Sequence, residues 1–369
     1  MMDNVKNSLF KVYLDYRYSS GRLKKYIRKN KKRLKGNYYS VSRKDFSGLR
    51  AAAVQVKMEL YNNPFSFADK MEGLVFKACR EGAELLVFPE DNLSQLLGLL
   101  PGITDNDSSI DKKDNDADLD KLLSELGEGI SIADILTFIG PVIRKISLSI
   151  FSALASKYRV YIMAGSGLFP ERIARDNSSN ALYNISYLFG PDGSLLGSQK
   201  KNHLLPMEKE WGLNTGKELS VLSTRIGRLA FPVCMDATYF ETFQIAYQKD
   251  ADIVMIPIAN PDPEYNYWTA LRGIWGRVQE TPVYGIKSAM VGDFLGFKLT
   301  GQSGIYAPIP LTENKDGILA ESRYHDREDI VMAELDLNDL RRYRKELDRE
   351  INRDFEDRYF PDIYRVSKK

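Results

Sequence analysis

From Leu49 onward the apolar residues fall into short continuous runs separated by stretches with helical spacing. Ala51-Ala52-Ala53-Val54-Gln55-Val56 has the pattern of a strand buried on both faces, residues 65–82 carry Phe67, Met71, Leu74, Val75 and Ala78 on one helical stripe, and residues 84–89 form a second buried run. Strand, helix and strand in that order predict a pair of parallel neighbours. A second unit follows, with a helix at about residues 150–158 and a strand at 160–165. Residues 181–189, the turn Gly190-Pro191-Asp192-Gly193 and residues 194–201 predict a hairpin. Further strands are expected at 229–233, 252–257, 283–288, 304–307 and 330–334, with helices near 240–249 and 267–280. Many buried strands with few helices between them predict two packed sheets with helices outside.

Two stretches depart from this rhythm. Residues 104–120 are acidic and polar, with little that could enter a core, and read as a flexible surface loop. Asp and Asn recur there, but the glycine and closing glutamate of a calcium loop are missing. Residues 130–151 are apolar nearly all round and must be covered by something. Gly140-Pro141 and Arg144-Lys145 interrupt them before membrane-spanning length is reached. They read as a packing element, a lid over a greasy substrate, or a surface that docks on a bilayer. Together the two stretches look like an insertion at about residues 98–148, near the active-site mouth of a domain spanning 49–369.

Charge changes the picture at the amino-terminal end. Of 52 lysines and arginines, 15 lie in residues 1–50 against Asp3, Asp15 and Asp45, so these residues carry +12 and the remainder −10. Residues 1–48 read as a basic arm. Its densest part, 22–35, interleaves Leu23, Tyr26, Ile27 and Leu34 with cations, which suits anionic lipid or nucleic acid, or a solvated helix packing through Leu23, Ile27 and Leu34. The −10 elsewhere argues against a broad nucleic-acid face. Residues 1–48 and 130–151 together suggest a salt-sensitive, peripheral contact with an anionic membrane.

Composition narrows the chemistry. With 43% hydrophobic and 28% charged residues the chain is of the soluble globular class. Cys79 and Cys234 give no disulfide framework, and His203 and His325 lie too far apart in sequence for a helical zinc-binding pair, so an intracellular, cytoplasmic protein with reduced thiols and no metal or cofactor is expected. Cys234 follows the apolar run Leu229-Ala230-Phe231-Pro232-Val233 and precedes a helix. A thiol at such a turn meets converging backbone N–H groups, which lower its pKa and supply an oxyanion site; the plainer reading is a small buried hydrophobe, as for Cys79 within its helix. With histidine so scarce, a base and an oxyanion partner must come from carboxylates and lysines. Glu90, at the carboxyl end of a parallel strand, and Lys201, at the end of another, are the candidates. Taken singly, they could equally be a helix cap and a surface charge.

Phe88-Pro89-Glu90, Lys201-Asn202-His203-Leu204 and the run from Cys234 to Glu241, in that order, resemble the three signature blocks of the nitrilase, or carbon-nitrogen hydrolase, superfamily. Residues 301–308, Arg277 to Glu280, and Pro361-Asp362-Ile363-Tyr364 are similar to its flanking features. The resemblance implies a four-layer α-β-β-α sandwich, usually dimeric. It further implies Glu90 as general base, Lys201 as stabiliser of the tetrahedral intermediate, Cys234 as nucleophile, and the Met235 backbone N–H as oxyanion donor. A second glutamate after the lysine is common in the family; Glu208 and Glu210 both qualify, with Glu208 preferred. Asp236 and Glu241 are retained and read as orienting the turn and helix, whereas Met235, Thr238, Tyr239 and Phe240 depart from the family pattern and alter the pocket wall. The implied reaction is hydrolysis of a non-peptide amide or carbamoyl group of a small molecule, with an acylated substrate as one option, through a thioester. A nitrilase, an amide-forming acyltransferase and a non-enzymatic scaffold are the alternatives.

Overall fold

The computed structural model describes residues 2–30, 48–100, 130–173 and 176–347, with five further positions between 352 and 359. The acidic stretch 104–120, the basic run beyond residue 30 and the motif 361–364 lie outside the described residues. Nine helices are described: α1 (Met2–Arg17), α2 (Ser20–Lys29), α3 (Pro64–Arg80), α4 (Ile132–Tyr158), α5 (Pro206–Glu210), α6 (Phe240–Gln248), α7 (Tyr267–Arg272), α8 (Trp275–Glu280) and α9 (Leu337–Leu347). The described strands are β1 (Leu49–Lys57), β2 (Leu85–Val87), β3 (Tyr161–Ile173), β4 (Asp176–Phe189), β5 (Leu195–Lys200), β6 (Val221–Thr224), β7 (Gly227–Ala230), β8 (Ile253–Ala259), β9 (Tyr284–Phe294), β10 (Phe297–Leu299), β11 (Gly304–Tyr306), β12 (Ile318–Glu321) and β13 (Asp329–Leu335).

These strands make two sheets joined along one edge. The first runs β5-β4-β3-β2-β1 with β13 antiparallel to β1; the second runs β9-β8-β7-β6 with β11 and β12 beyond β9. The join is short, Val56 opposite Met290 and Lys57 opposite Val291. The two-residue period of a strand explains why the runs are apolar throughout rather than alternating. Ala51, Ala53, Leu85, Val87 and Met163 face Phe231, Ile253, Met255 and Ile286 between the sheets. Their neighbours Val54, Leu86 and Ile162 face α3 and α4, and Val254 and Ile256 face the helices on the other side. The layers are therefore helix, sheet, sheet, helix, as the motif resemblance implies.

Most expected elements are present with shifted ends. The expected helix at 267–280 is instead α7 and α8, separated at Gly273 and Ile274. The separate helix expected at 150–158 is the last third of α4, one continuous helix of 27 residues that runs through Gly140-Pro141. Pro141 points to the exposed side, and Gly140 is a close-approach position: a methyl group there would stand 2.6 Å from Pro170 Cδ on β3. Ile139, Ile143, Ile146, Ile150 and Leu154 are buried on the sheet side, and the exposed positions 134, 137 and 145 are Asp, Thr and Lys. At roughly 1.5–3 kcal/mol per buried side chain, that face is a major part of the core. The expectation of a lid or bilayer surface at 130–151 thus meets a helix whose apolar side is already occupied; the packing alternative describes it.

The described part of the basic segment is docked rather than free. Leu14, Tyr18, Leu23 and Ile27 join the core over α4, leaving Arg22, Lys25, Arg28 and Lys29 exposed. Lys157 Nζ on α4 donates to the carbonyls of Ile27 (2.8 Å) and Asn30 (3.1 Å) and pairs with the fully buried Glu72. Asn30 Nδ2 (2.7 Å) and the Tyr158 hydroxyl (2.8 Å) also donate to Glu72, and the Tyr26 hydroxyl donates to Asp69 at 2.7 Å. A cation at the carboxyl end of α2 complements its dipole, and the network ties α2 to α3 and α4.

Candidate active site

Strand β7 stops at Ala230, and Phe231-Pro232-Val233 leads into Cys234, the first residue of a 3-10 turn (Cys234–Thr238). Cys234 has φ +45°, a left-handed conformation unusual for a residue with a Cβ and characteristic of strained functional turns. What holds the turn is Asp236. Its fully buried carboxylate accepts the backbone N–H groups of Val233 (3.0 Å), Asn202 (3.0 Å) and His203 (2.7 Å), and lies 2.9 Å from His203 Nδ1. One side chain thereby fixes both the approach to Cys234 and the backbone that follows Lys201. From α8, Arg277 Nη2 donates to the Thr238 carbonyl at 3.0 Å and braces the far end of the turn. Glu241, expected to help orient this region, is exposed on α6.

Glu90 and Lys201 follow β2 and β5 directly, so both stand at strand ends of the first sheet. Lys201 Nζ lies 2.9 Å from Glu90 Oε1 and 2.8 Å from Glu208 Oε2, and Glu90, Lys201 and Glu208 are only 2, 1 and 6% exposed. Glu90 Oε2 accepts the Ala259 N–H at 2.9 Å, and Glu208, on α5, accepts the N–H of Leu205 at 2.8 Å. Glu208 is thus the glutamate brought to the lysine, while Glu210 points to solvent.

The electrostatics follow from one lysine shared by two carboxylates in a dry site. Burial pushes Glu90 above the ordinary carboxylate range; the Lys201 charge opposes that rise and Glu208 adds to it. Contrary to the lowering expected of a thiol at such a turn, burial drives the Cys234 thiol well up, with the Glu90 charge and a side-chain hydrogen bond to Glu90 acting in the same direction. For Lys201 burial disfavours the charge, but Glu90, Cys234 and Glu208 together outweigh it and hold the ammonium firmly protonated. The site therefore combines a protonated thiol, a carboxylate of raised proton affinity within hydrogen-bond reach of it, and a fixed positive charge. Cys79 differs: it is buried in α3, and burial alone pushes its thiol up to about 12.

Two residues of the site escaped the reading of the sequence. Asn184 of β4, 1% exposed, donates Nδ2 to Glu90 Oε1 at 2.8 Å and to Glu208 Oε1 at 3.3 Å, linking the two carboxylates. A lone asparagine within the apolar run Ala181-Leu182-Tyr183-Asn184-Ile185 was its signal. Asp91 sits beside Glu90 with φ +57° and accepts the Ser94 hydroxyl at 2.9 Å; burial, then the Glu90 charge, raise it to about 7. Among the described residues no group of three or more His, Cys, Asp or Glu side chains is placed to hold a metal ion.

The carbon-nitrogen hydrolase family profile matches residues 50–345. The chain belongs to the carbon-nitrogen hydrolase family. Among its curated relatives is a probable hydrolase, YhcX, of Bacillus subtilis, 28% identical over 302 residues, which are 80% of this chain and 52% of that protein. Another is the omega-amidase NIT2 of Danio rerio, 26% identical over 211 residues, covering 54% and 70% respectively. The chain thus spans about half the length of the Bacillus relative. Solved structures with the same fold include Nit3 of Saccharomyces cerevisiae, a nitrilase-superfamily member (TM-score 0.57, 19% identity, 83% of this chain and 96% of that one), and a carbon-nitrogen hydrolase of Helicobacter pylori (TM-score 0.57, 20% identity, 84% and 96%). The amidase of Nesterenkonia sp. AN1 aligns at a TM-score of 0.53 and 19% identity over 82% of this chain and 96% of its own.

Proposed function

We propose that this carbon-nitrogen hydrolase is a cysteine amidase that cleaves a non-peptide amide through a thioester. The observation that carries the reading is the buried Glu90–Lys201–Glu208 cluster beside Cys234: three ionisable groups kept together out of solvent next to a thiol, at a cost in desolvation that a scaffold has no need to bear. In the proposed course, the Cys234 thiol gives its proton to Glu90 as sulfur bonds to the amide carbon. The Lys201 ammonium and the Met235 backbone N–H hold the oxyanion. The C–N bond then breaks, Glu90 passes its proton to the departing nitrogen, and ammonia or an amine leaves. Water attacks the thioester, Glu90 takes a water proton, the C–S bond breaks, and the proton returns to sulfur as the carboxylic acid departs. Glu208 keeps the lysine charged and aimed, and Asn184 spaces the two carboxylates.

The test is ammonia release from a panel of simple primary amides by the full chain and by Cys234→Ala. The reading expects turnover by the former and loss of at least about 10⁴-fold in the latter. Wild-type turnover in Cys234→Ala would reject it.

A further inference from the structure

The cavity that opens on the reactive cluster has two chemically distinct parts. Glu90, Asp91, Lys201 and Glu208 form one end. Most of the remaining wall is apolar: Leu168 of β3, Met207 of α5, Trp211 just after it, and Phe294, Phe297 and Leu299 of the β9–β10 hairpin. This wall is built into the fold. Leu168, Phe294 and Leu299 are 6, 5 and 4% exposed and belong to the core shared with α3 and α4. Trp211 and Phe297 meet edge to face with centroids 6.4 Å apart, so the segment after α5 is locked against the hairpin.

Charge on the wall is as informative as its apolarity. Lys201 is the one cation among the described residues that line the cavity, and two glutamates hold it at 2.8–2.9 Å. A second carboxylate on the substrate would find no free cation there. It would lie among aromatic and aliphatic side chains, in the field of Glu90 and Glu208, and would be left desolvated and unpaired.

We propose, resting on the amidase reading above, that the acyl part of the substrate is neutral and apolar, and that the Trp211–Phe297 wall selects it against amides bearing a distal carboxylate. The experiment uses the full chain, with kcat/KM measured for the linear amides from acetamide to hexanamide beside succinamate and glutaramate. The proposal expects a rise of about fourfold per methylene, the equivalent of ~0.8 kcal/mol, until the wall is covered. The carboxylated amides should fall at least about 100-fold below neutral amides of equal length. Phe297→Ala and Trp211→Ala should flatten the chain-length slope, and Phe297→Leu should keep most of it. Binding of hexanamide and glutaramate to Cys234→Ala, followed by calorimetry, separates the two claims. Glutaramate bound or turned over as well as hexanamide would overturn the apolar pocket and leave an amidase standing. Preferential hexanamide binding to Cys234→Ala, with no ammonia from any amide in the wild type, would uphold the pocket and reject the amidase reading.

Discussion

In the proposed mechanism the Cys234 thiol, set beside a buried carboxylate, keeps its proton until Glu90 takes it at the moment of attack, and Lys201 is already charged when the oxyanion forms. Glu90→Gln and Lys201→Met are each expected to lower kcat by about 10²–10⁴-fold, and the double variant by far less than the product, because the groups act as one unit. Steady-state kinetics of the four proteins checks this; fully multiplicative losses would mean independent roles. The pH profile gives a second expectation. In the proposed mechanism Glu90 acts only when ionised, so the acid limb of kcat/KM is expected to fall where Glu90 takes up its proton, above the ordinary carboxylate value of 4.5. The Glu208 charge favours the protonated form of Glu90. Glu208→Gln should therefore move the acid limb to lower pH, whatever it does to the plateau; an unmoved limb would place the titrating group elsewhere.

At the scale of the element, α4 and α2 show why a pattern can be right about burial and wrong about continuity. Residues 130–151 had to be covered, and they belong to a helix that packs against the first sheet and against α1, α2 and α3. Gly140-Pro141 reads as a break because each residue weakens a helix, yet here the proline faces out and the glycine admits Pro170. Residues 1–48 read as an arm because their charge is conspicuous; in their described part Leu23 and Ile27 pack as the alternative reading had it, and Leu14 and Tyr18 join them. Lys157→Met tests the docking. It strips a fully buried Glu72 of its cation and the end of α2 of its cap, which should cost about 3–5 kcal/mol. The expected readouts are a lowered denaturant midpoint and faster tryptic cleavage between Arg22 and Lys29. Unchanged stability and protection would mean that α2 is held by its apolar contacts alone.

Over the whole molecule, the sequence made the sandwich legible because parallel strands buried on both faces leave unbroken apolar runs, and β1, β2, β8 and β9 all show them. The short strands β6, β10 and β12 were not legible, since pairing at an edge or in a hairpin fixes them more than their own pattern does. The candidate site was legible at Glu90, Lys201 and Cys234 through ordered motifs. It was not at Asn184, whose role exists only once the sheet brings β4 within reach of the segment after β2, nor at Asp91, whose role exists only once Glu90 is buried beside it. What joins these scales is the claim that Cys234 carries the acyl group. The most direct test is to mix the full chain with an amide it turns over, quench in acid, and locate the added mass by intact-protein and peptide mass spectrometry. The account predicts one acyl group on the peptide containing Cys234, absent in Cys234→Ala. An acyl group on another residue, or undiminished turnover without Cys234, would contradict it.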